Sequence, residues 1–300
     1  SWAREMCIRD RRQWQQQLLG LEPSRQGGRF PCPRRFCAGD LMFWIAQVAA
    51  AAAVYIGGSE QLADQALRSN RGAVGMSMVQ LTSSWLGSPY RAFSLDQSPA
   101  ERLQIDLQGF DCFLLVEQAL ALARSQTMAG FEHELQQLRY GGQATDYCHR
   151  QHYFTRWAQT AIAQGAIQDL NPELAGAKQR RRRLDFMSRH PGSYKPMQQQ
   201  RHRDCIGALE RKLHVEQSFI PLQALPAVMP MLRNGDIFTL VTDVDGLDVT
   251  HVGLVERQGN QVNGLHAAPG HGVIRSPDLV RYGREVDNVI GMSFFRPLPR

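Results

Sequence analysis

The sequence predicts an α+β fold. Residues 59–164 read as successive helical runs, and from Phe219 onward the pattern changes to short strands punctuated by Gly and Pro. The chain has 300 residues and 43% hydrophobic content, enough to build a substantial core.

Residues 1–40 are rich in Arg, Gln, Gly and Pro without a hydrophobic period and are expected to be a basic, disordered tail. Met42, which opens the next segment, would be a natural start downstream of that tail. The uncharged run over residues 41–56 is 16 residues long and closes with Gly57-Gly58-Ser59. A spanning helix needs about 20 apolar residues, so the run fits a signal-peptide core flanked by Arg34 and Arg35, with a buried Ala-rich helix as the alternative. Segment 41–58 therefore points to export to the periplasm or cell envelope, the buried-helix alternative to the cytoplasm, and no stable membrane span is expected. Residues 59–300 are expected to form one domain.

Within that domain helices are predicted over residues 59–71, 73–86, 96–105, 112–124 and 131–140, with a further run over 147–164. Gly87-Ser88-Pro89 and Gly141-Gly142 supply stops. Residues 171–203 are polar and basic and read as a long surface excursion, with a packed knot at Leu184-Asp185-Phe186-Met187-Ser188 and His190-Pro191. Strands are predicted over residues 236–241, 249–256, 261–267 and 289–296.

The net charge is +6, from 34 basic and 28 acidic residues. The excess is local: eight arginines lie in the first forty residues, and Arg180-Arg181-Arg182-Arg183 form a second cluster. No aromatic interleaving or binding-motif spacing accompanies them, which argues against a nucleic-acid partner and for a solvated tail and loop. The six cysteines follow no regular framework and are not expected to form disulfide staples, and Cys7, Cys32 and Cys37 have no nearby His to complete a zinc site.

One cysteine stands apart. Asp111 is a good N-cap residue, and the helical run that follows places Cys112 in the first turn. Unpaired N–H groups and the helix dipole there favour a thiolate, and such positions can lower a thiol pKa from about 8.5 to about 3.5–7.5. The bland alternative is a small buried hydrophobe. A nucleophilic thiol needs a base, and His251 lies on a predicted strand with Val249, Gly253 and Val255 on the same face. A lone His on so apolar a face is more often a core residue. His266, however, is on the next strand. A turn at Gln258-Gly259 would set the two histidines directly opposite, with Cβ atoms about 4.5–5.5 Å apart; a turn at Gly259-Asn260 would place His266 against Gly253, diagonal to His251 on the same face. Either register allows a ring-to-ring hydrogen bond, with His251 taking the thiol proton and His266 fixing its tautomer. Asp248 points to the opposite face, and His271 belongs to an exposed turn.

Several ordered pieces carry a resemblance: Leu86-Gly87-Ser88-Pro89-Tyr90, Phe110-Asp111-Cys112 with Val116-Glu117, Leu138-Arg139-Tyr140, His152-Tyr153-Phe154 with Trp157, Phe186-Met187-Ser188 with His190, Asn234-Gly235-Asp236, Gly246-Leu247-Asp248-Val249 with His251-Val252-Gly253, and His266-Ala267. Together they resemble the NlpC-type papain-like cell-wall cysteine peptidases, and most closely the N-acetylmuramoyl-L-alanine amidase-like family of that superfamily. The resemblance implies a papain-like core in which a nucleophile at a helix N-terminus packs on an antiparallel sheet. It implies hydrolysis of the amide between the muramic acid lactyl group and L-alanine, with Cys112 as nucleophile, His251 as base and His266 as orienter. Tyr90 and Asp111 would line the site. Arg139, Arg150 and His152 are candidate binders of substrate carboxylates, with buried structural roles as the alternative. The family pattern has small hydroxyl residues after the cysteine, whereas this chain has Phe113 and Leu114. The expected partner is therefore a peptidoglycan fragment acted on by a monomer without metal or other cofactor. The alternatives are an endopeptidase cutting between D-glutamate and the diamino acid of the stem, or an inactive wall-binding module.

Overall fold

The computed structural model describes residues 53–300 apart from Arg71 and Pro99, so the basic tail and most of the apolar run lie outside the described residues. The described end of that run is extended rather than helical. Val54–Tyr55 form a strand (β1) paired in parallel with Gln104–Ile105 (β2). The β-branched Val54 suits that pairing, and the Tyr55 hydroxyl anchors it by donating to Glu132 at 3.0 Å.

Four helices follow the predicted order: α1 (Ser59–Ser69), α2 (Val74–Ser84), α3 (Cys112–Ala123) and α4 (Met128–Tyr140). Every residue of α3 from Leu114 to Ala123 is buried, because Glu117 is the helix's only ionisable group beyond the thiol of Cys112. It is the hub on which α1, α2 and α4 pack. The helix predicted over residues 96–105 is absent: Ser94–Asp96 form a single 3-10 turn, and β2 takes the end of the segment. Tertiary partners outcompete the helix there. Arg139 Nη1 donates to the Gln104 carbonyl at 2.6 Å, and Arg150 holds Asp96 at 2.7 Å. The next run also shortens, to α5 (Phe154–Ala163), since Asp146 and His152 hydrogen-bond the backbone of residues 147–148 into a loop.

The second half builds an eight-stranded sheet. Its members are β3 (Ile167–Asp169), β4 (Lys178–Arg183), β5 (His214–Pro221), β6 (Ile237–Thr242), β7 (Val249–Gln258), β8 (Gln261–Ala268), β9 (Gly272–Ser276) and β10 (Val289–Pro297). They run in the order β4-β5-β10-β6-β7-β8-β9, with β3 also on β10, and every pairing is antiparallel. The α+β expectation stands. The excursion over 171–203 is corrected: the arginine cluster is the edge strand β4. Arg180 and Arg182 turn inward onto Gln217 and the carbonyls of Thr242, Val244 and Leu247, while Arg181 and Arg183 face solvent. Four identical side chains hide that alternation from a hydropathy reading.

The sheet separates two apolar clusters. Val252, Leu254 and Leu265 pack with α3, whereas Phe238, Leu240 and Val255 pack with the short helix α6 (Leu279–Glu285). A third cluster joins Tyr147, Tyr153, Leu184 and Met187 to Ile206 of α7 (Gln200–Glu210). Beside it Cys148 and Cys205 form a disulfide with Cα atoms 5.8 Å apart, correcting the expectation of no staples. An isolated pair separated by 57 residues leaves no sequence framework to recognise. Among the described residues no helix is long and apolar enough to cross a membrane.

Candidate active site

Cys112 opens α3. The Asp111 carboxylate caps the helix by accepting the Leu114 N–H at 2.7 Å and also receives that of Phe113. Burial raises the Asp111 carboxyl to about 6 despite these bonds. The thiol behaves against the expectation drawn from its helix position. Burial first, and the Asp111 charge second, push it up to about 12. The N–H groups of Val252, Cys112 and Phe113 face the sulfur and pull the other way, but are outweighed. At rest Cys112 is therefore a neutral thiol.

Val252 follows His251, so the start of α3 meets β7 at the sulfur. The β7–β8 register pairs Gln258 with Gln261 and Leu254 with Leu265, which makes Gly259-Asn260 the turn and sets His266 against Gly253. Of the two registers open to the sequence, the diagonal one is realised. His251 Nε2 lies 2.8 Å from His266 Nδ1, and the rings are nearly perpendicular at 89°. Gly253 is needed at this crossing: a Cβ there would stand 2.8 Å from His266 Cβ and 2.7 Å from the Phe238 ring. Burial lowers the pKa of His251 to about 4 and that of His266 well below its ordinary value, so both rings are neutral near pH 7.

Sequence reasoning missed two neighbours. His266 Nε2 lies 2.8 Å from Ser276 Oγ, and the Tyr282 ring is 4.7 Å from His266 and 6.0 Å from His251. Burial, and secondarily Cys112, raise the Tyr282 hydroxyl above its usual range. Ser276 was within reach of the register argument that found the histidines, because His266 pairs with Ile274 and Ser276 is its diagonal neighbour. Finding it required recognising β9. Asp248 is buried and turned away, accepting the Thr155 N–H at 2.7 Å, and His271 is exposed.

A cavity of about 270 Å³ opens on Cys112 from the opposite side. Tyr90, Asp111, Arg139, Arg150 and His152 all line it, whereas the two histidines of the β7–β8 pair do not. Tyr90 is held by a bridge to Phe110, just before the capped thiol. Both arginines already have protein partners. Arg139 donates to Glu117 at 2.8 Å, with both side chains almost wholly buried, and Arg150 pairs with Asp96 at 2.7 Å and Glu101 at 3.2 Å. His152 Nε2 donates to the Tyr147 carbonyl at 2.7 Å, and burial lowers its pKa to about 3. Phe113 stands edge-on to Trp157, with ring centres 5.4 Å apart, so the bulky residue after the thiol packs into the core. Among the described residues no three His, Cys, Asp or Glu side chains are grouped to hold a metal.

The model of the N-acetylmuramoyl-L-alanine amidase-like family matches residues 80–290. The chain belongs to that family. Among solved structures, an N-acetylmuramoyl-L-alanine amidase from Bacteroides uniformis superposes with a TM-score of 0.70 at 27% identity, covering 75% of this chain and 99% of that one. A Bacteroides fragilis structure, named provisionally as a xylanase, superposes with a TM-score of 0.68 at 28% identity, covering 72% and 99% of the two chains. A Legionella pneumophila protein shares the fold at 18% identity, with a TM-score of 0.67 and coverage of 81% and 95%. No curated protein matches. As a member of an amidase-like family, the chain is assigned to the hydrolases, with peptidoglycan as the family's substrate.

Proposed function

We propose that this protein is a cysteine amidase with an NlpC-type, papain-like core that cleaves the bond between the muramic acid lactyl group and L-alanine in peptidoglycan fragments. The observation that carries the reading is the His251–His266 hydrogen bond on the strand whose next N–H faces Cys112. Because His251 Nε2 is engaged by His266, Nδ1 is the nitrogen left to serve the thiol.

The thiol is neutral at rest, so attack is coupled to proton transfer. Cys112 Sγ bonds to the lactyl carbonyl carbon as its proton passes to His251 Nδ1. Asp111 occupies the Leu114 and Phe113 N–H groups, leaving that of Cys112 to meet the developing oxyanion. The imidazolium then returns the proton to the departing nitrogen of L-alanine, and the C–N bond breaks to leave a thioester. A water deprotonated by His251 hydrolyses the thioester and regenerates the thiol. Tyr90 and Asp111 shape the substrate side, while Arg139, Arg150 and His152 hold the cavity wall. No step uses a metal or cofactor.

We further propose export of a monomer to the periplasm or cell envelope. The Cys148–Cys205 disulfide supports an oxidising compartment. The test of the function is to incubate the protein, and its Cys112→Ala variant, with defined muropeptides and identify products by mass spectrometry. Release of an intact stem beginning with L-alanine, lost in the variant, is expected. Cleavage confined to the bond after D-glutamate would make it an endopeptidase, and binding without turnover would make it a wall-binding module.

A further inference from the structure

The histidine pair does not end at His266. Its Nε2 faces the Ser276 hydroxyl at 2.8 Å, His266 is fully buried and Ser276 is 9% exposed. We infer that Ser276 is a positioning residue that selects the His266 tautomer on which the basicity of His251 depends. The inference rests on the reading of His251 as the base.

A neutral imidazole carries one N–H and one lone pair. For His251 Nδ1 to offer its lone pair to the thiol, the proton must be on Nε2, which then donates to His266 Nδ1. His266 must in turn carry its proton on Nε2, and the group there must accept it. Ser276 Oγ can accept. In the reverse arrangement Ser276 donates to His266 Nε2, His266 Nδ1–H donates to His251 Nε2, and the remaining His251 proton sits on Nδ1. That form cannot take a proton from sulfur.

When His251 is protonated during turnover both its nitrogens carry hydrogen, and the productive direction of the chain is preserved without any proton leaving His266 or Ser276. The only proton that moves is the one from Cys112 Sγ to His251 Nδ1. Ser276 is not among the residues that line the cavity. It acts through His266, held on the same face by the β8–β9 register that pairs Gly264 with Ser276.

The experiment compares the wild type with Ser276→Ala and Ser276→Thr. The first readout is imidazole ¹⁵N NMR of the neutral protein, expected to show the His266 proton on Nε2 in the wild type and a mixture of tautomers in Ser276→Ala. The second is alkylation of Cys112 by iodoacetamide, expected to slow about 10–100-fold in Ser276→Ala, by analogy with losing the hydrogen bond behind a metal-bound histidine. Ser276→Thr, which keeps the hydroxyl, should restore most of the rate. With a muropeptide, kcat should fall and KM stay unchanged.

A wild-type His266 protonated on Nδ1 overturns the inference even if Ser276→Ala does not fold. So does a folded Ser276→Ala with wild-type tautomers and wild-type alkylation. The NMR and alkylation readouts need no substrate, so failure of the amidase reading would appear separately, as muropeptides left intact by a protein whose thiol still reacts.

Discussion

Two buried polar clusters flank Cys112, and they are built on opposite principles. On the sheet side, His251, His266 and Ser276 form a chain of neutral hydrogen-bonded groups. At the cavity wall, Glu117–Arg139 and Asp96–Arg150–Glu101 form two separate sets of oppositely charged partners. Burial makes an unpaired charge expensive, so a group that must gain and lose a proton in every cycle is best kept neutral at rest. A group that only supports a wall can be charged permanently, provided its partner never leaves. On the proposed mechanism, the difference separates the reacting side of the site from its scaffold.

The largest expected stability effect comes from breaking the charged cluster. Arg139→Ala would leave Glu117 buried and unpaired and should cost about 3–5 kcal/mol in urea unfolding. An Arg139→Met, Glu117→Leu double variant, which removes both charges, should recover most of that loss. If the single variant matched the wild type, the permanence assigned to this cluster would be wrong.

The neutral side is sensitive to space rather than charge. Gly253→Ala places a Cβ within 3 Å of both His266 and Phe238, so one of them must move. The expected outcome is a loss of about 1–3 kcal/mol with a fall in kcat, since the displaced ring is the one proposed to orient His251. Wild-type turnover in a folded Gly253→Ala protein would show that the 2.8 Å ring contact is dispensable.

The last effect is a slope with pH rather than a loss at one pH. His152 has its pKa lowered to about 3, from an unfolded value near 6.5. Between those values the unfolded chain binds a proton that the folded protein does not, so stability is lost as pH falls, by at most about 1.4 kcal/mol per pH unit for this group. Asp111, raised to about 6, works in the opposite direction: its contribution is present at low pH and is lost as pH rises from its unfolded value toward 6. Asp111 is common to both proteins, so comparing wild type with His152→Gln at pH 7 and pH 4 isolates the histidine. The variant should lose less stability on acidification, read from denaturant midpoints.

The histidine side was legible in the sequence because a strand period of two and a short turn fix which side chains share a face. That arithmetic left two registers open, and Gly253 shows why the diagonal one wins: His266 lies over a residue with no side chain. The cavity side was much less legible. Arg139 and Arg150 are visible as arginines, but their partners come from segments 22 to 54 residues away, and no local pattern announces which carboxylates will be buried with them. The same holds for the false helix over residues 96–105, where Asp96 and the Gln104 carbonyl answer to those arginines instead of to their own neighbours. The thiol's position at a helix start was readable, but its burial, which reverses the direction of its pKa shift, was not.

The two margins of the sheet carry a consequence for how the protein behaves among its own copies. An unprotected edge strand is a template for adding another chain. At one margin β9 is closed by the Gly87-Ser88 loop, where Gly87 N–H donates to Val273 and Val273 N–H to Ser88, both at 2.9 Å. At the other, β4 has no covering segment on the sheet path, but it is a run of Lys178, Gln179 and four arginines, so a second copy approaching edge to edge would bring like charges within one strand spacing. The cluster that reads in the sequence as a solvated loop thus keeps an open sheet from growing, and neutralising Arg181 and Arg183 would invite self-association before it disturbed the fold.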